Sequence, residues 1–270
     1  MSGPTRVVYL AGVARSGTSW IGQILAAHPR VRFRFQPLFA YEFQGRVDEG
    51  SPAEAYERLF DELFESRADF LLQRDKRASG EYPELRETGA EDVLAFKENR
   101  YQSVIAPMLR RVPRLSVVGI VRNPCAVLNS WRQNAKEFPP GADFEREWRH
   151  GLCKNRGPQD YFGYYRWKEV AHLYLDLAAQ HPERFHLLHY EQAVREPAAE
   201  AAKLLAFCGL GPDPAVDAFV RASTSTHHAS YYAVFKGAEV ADRWRAEMPP
   251  HVVAEIEADL CGTRLERFLA

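Results

Sequence analysis

Val7-Val8-Tyr9-Leu10, followed by Gly12-Val13-Ala14-Arg15-Ser16-Gly17-Thr18-Ser19-Trp20, is the stretch on which the fold turns. An apolar run reads as a buried strand, the glycines mark a turn, and Trp20, Ile21, Ile24 and Leu25 recur at helical spacing. That order aims unpaired backbone N–H groups and a helix N-terminus at one point, which is how proteins hold phosphate-like anions. Gly12 and Gly17 have the G-x4-G spacing of a Walker A loop, but Thr18-Ser19 stands where Lys-Ser/Thr would follow. The nearest cation, Arg15, lies inside the loop. The site can therefore hold an anion, yet it lacks the usual lysine spanning the β- and γ-phosphates of a nucleoside triphosphate.

A second segment has the same logic. Leu115–Val121 is a continuous apolar strand, followed by Arg122-Asn123-Pro124 and then Ser130-Trp131. Asn123 is a good N-cap, Pro124 suits the first helical position, and Val127, Leu128 and Trp131 mark a helical face. Arg122 thus sits at a strand end beside another helix N-terminus, placed for a second anion.

The two motifs, in this order, resemble the sulfotransferases that use 3′-phosphoadenosine 5′-phosphosulfate (PAPS) as donor. The resemblance implies that Arg15, Ser16, Gly17, Thr18, Ser19 and Trp20 form the 5′-phosphosulfate loop. It implies that Arg122, with Ser130 eight residues on, forms the 3′-phosphate site. Such enzymes commonly close the nucleotide site with a late basic loop and a Trp; here Lys236-Gly237, ahead of Asp242-Arg243-Trp244, matches in part. PAPS is then the co-substrate and no metal is expected, since no apolar strand ends in a Walker B aspartate. A P-loop kinase or NTPase is the competing reading, weakened by Thr18 in the lysine position. A nucleotide-binding relative without catalysis is another.

Strands at 6–10, 31–35, 93–96, 115–121 and 185–189 alternate with helical patterns. Helices are expected near 18–27, 53–66, 101–111, 144–152, 161–180, 197–207, 214–221 and 250–260. This alternation predicts an α/β protein, three layers α/β/α around a central parallel sheet, with nucleotide at the sheet's carboxyl edge. The resemblance specifies the P-loop-NTPase-like sulfotransferase fold, one domain over residues 1–270 with insertions at about 37–91 and 222–248. The charged stretch 73–91 is the candidate lid.

Composition sets bounds on partners. A chain of 270 residues with 46% hydrophobic residues can bury a large core, and a net charge of −1 gives no reason to expect nucleic acid. Cys125, Cys153, Cys208 and Cys261 are widely spaced without C-x-x-C, which reads as free thiols in a reducing compartment and no zinc site. No run is long enough for a membrane span and no signal-peptide plan is visible, so a cytoplasmic location is expected. The oligomeric state stays open.

The base is less legible. In relatives acting on carbohydrates and protein tyrosine, a glutamate commonly follows the second strand; here Phe35-Gln36-Pro37-Leu38 puts an amide there. In steroid and phenol sulfotransferases a lysine and a histidine lie past the third strand; here the stretch is Phe96-Lys97-Glu98-Asn99. Lys97 is the candidate cation on the bridging oxygen and Glu98 the first candidate base, with Glu42 and His227-His228 as further candidates. The acceptor is a carbohydrate, phenol or other small molecule, with residues 33–41, stretch 73–91, Tyr161, Phe162, Tyr164, Tyr165, Trp167 and Tyr231-Tyr232 as candidate walls.

Overall fold

The computed structural model describes residues 3–84, 88–225, 234 and 241–269. Five strands, β1 (Arg6–Ala11), β2 (Val31–Phe35), β3 (Val93–Glu98), β4 (Leu115–Val121) and β5 (Phe185–His189), form one sheet in the order β2-β3-β1-β4-β5. Every pairing is parallel, as the alternation of strands with helices predicts. The strand positions agree with the apolar runs because each run must be buried on both faces.

The helices are α1 (Thr18–Ala26), α2 (Ala53–Glu65), α3 (Asp69–Leu72), α4 (Arg74–Ala78), α5 (Ile105–Arg111), α6 (Pro124–Arg132) and α7 (Phe144–Glu147), followed by α8 (Tyr164–Gln180), α9 (Tyr190–Arg195), α10 (Pro197–Phe207), α11 (Pro214–Ser225), α12 (Trp244–Glu247) and α13 (Pro250–Leu260). Period-two alternation along the strands divides the core in two. Val7, Tyr9, Leu94, Phe96 and Val117 face one side and pack with α2, α5, α8 and α13. Val8, Leu10, Val93, Ala95, Val118 and Ile120 face the other and pack with α1, α10 and α11. Three layers result.

Several elements depart from the sequence pattern. The helix expected over 144–152 stops at Glu147, and the chain then turns at Gly151 (φ 62°), where a Cβ would meet the Phe162 backbone. The next helix begins only at Tyr164, after Gly163 at φ 88°. Of the aromatics around its start, Tyr161, Phe162, Tyr164 and Trp167 are buried in the core and Tyr165 is exposed. The charged stretch from 73 contains α4, separated from α3 by left-handed Gln73. On β2, the alternating arginine Arg34 is fully buried, donating to the carbonyls of Leu63 (2.9 Å) and Phe64 (3.0 Å) at the carboxyl end of α2. Those carbonyls lack intrahelical donors and carry partial negative charge, which explains a cation inside the core. Burial still pushes its pKa down to about 10. Among the described residues, no helix is long and apolar enough to cross a membrane.

Candidate active site

The first turn leaves β1 at the carboxyl edge of the sheet. Arg15 (φ 73°) and Gly17 (φ 87°) are both left-handed, so the loop alternates backbone hands as anion-binding nests do; within it the Ser16 N–H donates to the Val13 carbonyl at 3.2 Å. A non-glycine residue there costs about 1–2 kcal/mol, a strain typical of ligand-binding turns. A Cβ on Gly17 would overlap the ring edge of Tyr190, the first residue of α9. Gly17 also leaves the start of α1 without a side-chain cap, so the helix N-terminus is open to an anion. The Ser16 hydroxyl is buried and makes no hydrogen bond among the described residues.

The second turn follows β4, the neighbour of β1. Asn123 caps α6 as its sequence indicates, accepting from the N–H groups of Cys125 (2.9 Å) and Ala126 (3.3 Å). Cys125 is a core thiol, pushed up to about 12 by burial. The Arg122 carbonyl accepts from the Trp167 indole at 2.9 Å, fixing the turn from behind. Its guanidinium lies over the Tyr190 ring at 4.6 Å and donates through Nη1 to the Arg15 carbonyl at 3.0 Å. Arg122 Nε is buried with no acceptor among the described residues. Arg15 Nε donates to Ser130 Oγ at 3.0 Å. The two anion motifs are therefore one assembly, in which each arginine holds the other motif.

Lys97, at the carboxyl end of β3, closes the third side. Its ammonium donates to Thr18 Oγ1 (3.3 Å) and Ser19 Oγ (3.4 Å) and lies 4.3 Å above the Phe35 ring. Thr18 Oγ1 in turn donates to Asn99 Oδ1 at 2.8 Å. Burial pushes the Lys97 pKa down to about 7. Arg15, Gly17, Thr18, Ser19, Trp20, Lys97, Arg122 and Ser130 line one cavity of about 580 Å³. Trp20 is anchored there by its indole N–H, which donates to Ser223 Oγ at 2.9 Å.

Glu98 is not brought into this cavity. Adjacent strand residues point to opposite faces, so with Lys97 directed to the anion loop, Glu98 is buried on the other side of the sheet. There it accepts from the Leu38 N–H at 2.6 Å, and burial pushes its pKa up to about 8. Glu42 is exposed and does not line the cavity. Gln36 does line it, held at φ 42° with its N–H donating to the Lys97 carbonyl at 2.9 Å. Lys236, Gly237, His227, His228, Tyr231 and Tyr232 lie outside the described residues.

Sequence reasoning did not single out Tyr190, Lys76 or Glu137, all of which line the cavity. Lys76 stands over the rings of Phe35 (5.2 Å) and Tyr82 (5.1 Å). Lys76 falls within the charged stretch 73–91 without being distinguished there, and Tyr190 and Glu137 carry no motif of their own. Among the described residues no group of histidine, cysteine and acidic side chains could hold a metal ion.

The parallel α/β sheet carries the two turns on its adjacent strands β1 and β4, both at the carboxyl edge, the usual place of ligand sites in such sheets. The chain belongs to the Sulfotransferase family, whose pattern matches residues 8–214. Its fold is that of mouse sulfotransferase SULT7A1 complexed with 3′-phosphoadenosine 5′-phosphate (PAP), with TM-score 0.59 and 14% identity, over 100% of this chain and 89% of that one. It is also similar to retinol dehydratase in complex with retinol and PAP, at TM-score 0.56 and 15% identity, over 98% of this chain and 84% of that one. An uncharacterised protein of Aquifex aeolicus (strain VF5) is 24% identical over 257 residues, 89% of this chain; the chain spans only 30% of that relative's length.

Proposed function

We propose that the protein transfers a sulfuryl group from PAPS to a hydroxyl of a small-molecule acceptor, such as a phenol or carbohydrate. The observation that supports this best is the joining of the two anion motifs: Arg15 reaches Ser130 and Arg122 reaches the Arg15 carbonyl across 107 residues of sequence. The donor fits the residues present. Arg122 lines the cavity, and its buried, unpartnered Nε is a polar atom that a bound anion would satisfy. Arg15 and the N–H groups of the 16–19 loop would hold the 5′ end, and Arg122 with Ser130 the 3′-phosphate.

The donor supplies an activated sulfuryl group with a phosphate leaving group. Lys97 faces the Thr18 and Ser19 hydroxyls, and when protonated it would supply a cation to the negative charge that grows on the leaving oxygen. A preorganised donor of this kind is typically worth about 10²–10³ in rate, or about 2.7–4 kcal/mol. Phe35, Phe70 and Gln36 form the acceptor side, apolar faces with a polar edge. All four cysteines are free, which supports a reducing, cytoplasmic setting.

Gln36 in the cavity favours a second reading, a relative that binds the nucleotide without turning it over. Thermal shift tests the shared part: PAP should raise the melting temperature far more than AMP or ATP with magnesium. If ATP with magnesium stabilises more, the sulfotransferase reading is replaced by a kinase-type one. Transfer of ³⁵S-sulfate from labelled PAPS to a panel of phenols, sugars and lipids then separates catalysis from binding alone.

A further inference from the structure

Gln36 cannot take a proton and Glu98 is on the far face of the sheet, so neither serves the cavity as a base. Among the described residues three carboxylates line it: Asp69, Asp75 and Glu137. Asp69 is 82% exposed and paired with Arg74 at 2.8 Å, and Asp75 is exposed. Glu137 differs. Its side chain is only 20% exposed, and its Oε2 is buried without a hydrogen bond among the described residues.

That oxygen lies 3.9 Å from Arg15 Nη1, too far for a hydrogen bond but next to the cation of the anion loop. The backbone holds it firmly. The Glu137 N–H donates to the Asn134 carbonyl at 2.8 Å, and its carbonyl accepts from the Trp131 indole at 3.1 Å. Trp131 belongs to α6, the helix that carries Ser130. Glu137 is thus fixed to the same helix as the second anion motif and turned toward the first. A buried carboxylate oxygen lacking a donor is a position where a ligand's donor is expected.

From this geometry we propose that Glu137 is the general base, and so a catalytic residue for the transfer set out above. The step balances as follows. The acceptor oxygen forms a bond to sulfur, and the bond from sulfur to the bridging phosphate oxygen breaks, its electron pair leaving with PAP. The acceptor proton passes to Glu137 and then to water. The proposal rests on the sulfotransferase reading, and the experiment separates the two.

Water is an acceptor present in every assay, so release of ³⁵S-sulfate from labelled PAPS is the probe, alongside PAP binding by thermal shift. Glu137→Gln should keep the melting temperature and bind PAP within about threefold of wild type, while sulfate release falls about 100-fold or more. Glu137→Ala should lose as much and regain part of its rate with added formate, which Glu137→Gln should not. Failure of PAP to stabilise the wild type refutes the sulfotransferase reading itself. PAP binding with unchanged release in Glu137→Gln overturns the base alone. So does PAP binding by a wild type that releases no sulfate, or a Glu137→Gln effect confined to PAP affinity, which would make Glu137 only a counter-ion of Arg15.

Discussion

Binding of PAP should draw a proton from solution through Lys97. In the free protein burial holds this ammonium at a pKa of about 7, so at pH 8 it is charged in about a tenth of molecules. Its neighbours are the hydroxyls of Thr18 and Ser19 at the mouth of the anion loop, where a bound phosphate would restore the charge. Full restoration takes up about 0.9 proton at pH 8 and about 0.1 at pH 6. Above pH 8 the affinity for PAP should then fall about tenfold per pH unit. Titration calorimetry in HEPES and Tris, buffers of different ionisation enthalpy, gives the proton count from the slope of heat against that enthalpy. The nucleotide's own phosphates also titrate, so the quantity of interest is wild type minus Lys97→Met. Equal proton counts for the two proteins at pH 8 would show that Lys97 is not the group recharged.

Arg122→Ala should raise the dissociation constant for PAP about 10- to 150-fold, the worth of one charged hydrogen bond at about 1.5–3 kcal/mol, measured by calorimetry with the apo melting temperature as the check on folding. Gly17→Ala puts a Cβ at φ 87° against the Tyr190 ring, so PAP stabilisation should vanish; Gly17→Ala combined with Tyr190→Ala should recover part of it if the clash is the cause. For Glu98 the folded pKa of about 8 lies above its ordinary value, so its contribution is fully present at low pH and is lost as pH rises through about 8. Glu98→Gln keeps an acceptor for the Leu38 N–H without that ionisation; its melting temperature relative to wild type should climb from about pH 5 to about pH 8 and level off above, and a flat difference throughout would refute the assignment.

The sheet and both anion turns were legible in the sequence because each is local: an apolar run, a glycine or an Asn-Pro start, and a periodic helix. The register of Lys97 and Glu98 was also within reach. Val93 and Ala95 share a face with Lys97, and Leu94 and Phe96 share the opposite one with Glu98, so period two alone separates cation from carboxylate. What escaped notice is tertiary. Glu137 sits in a polar turn after α6 whose position follows from Trp131 and Asn134. Tyr190 matters only because β5 ends where its ring can support both Gly17 and Arg122. The helix expected over 144–152 ends at Glu147; Gly151, at φ 62° with no room for a Cβ beside the Phe162 backbone, is a turn residue that the sequence itself displays.

β1 and β4 lie side by side, so the strands that carry the two turns proposed to grip the nucleotide are one backbone ladder spacing apart, about 4.8 Å. Peptide hydrogen bonds, common to every sequence, set that gauge. The proposed acceptor side, Phe35 and Gln36, stands instead at the end of β2, the outermost strand, beside the short helices α3 and α4. Phe35 also lies 4.3 Å under the Lys97 ammonium, so a change there would be felt at the donor loop, whereas α3 and α4 carry no residue of either turn and are the freer place for variation.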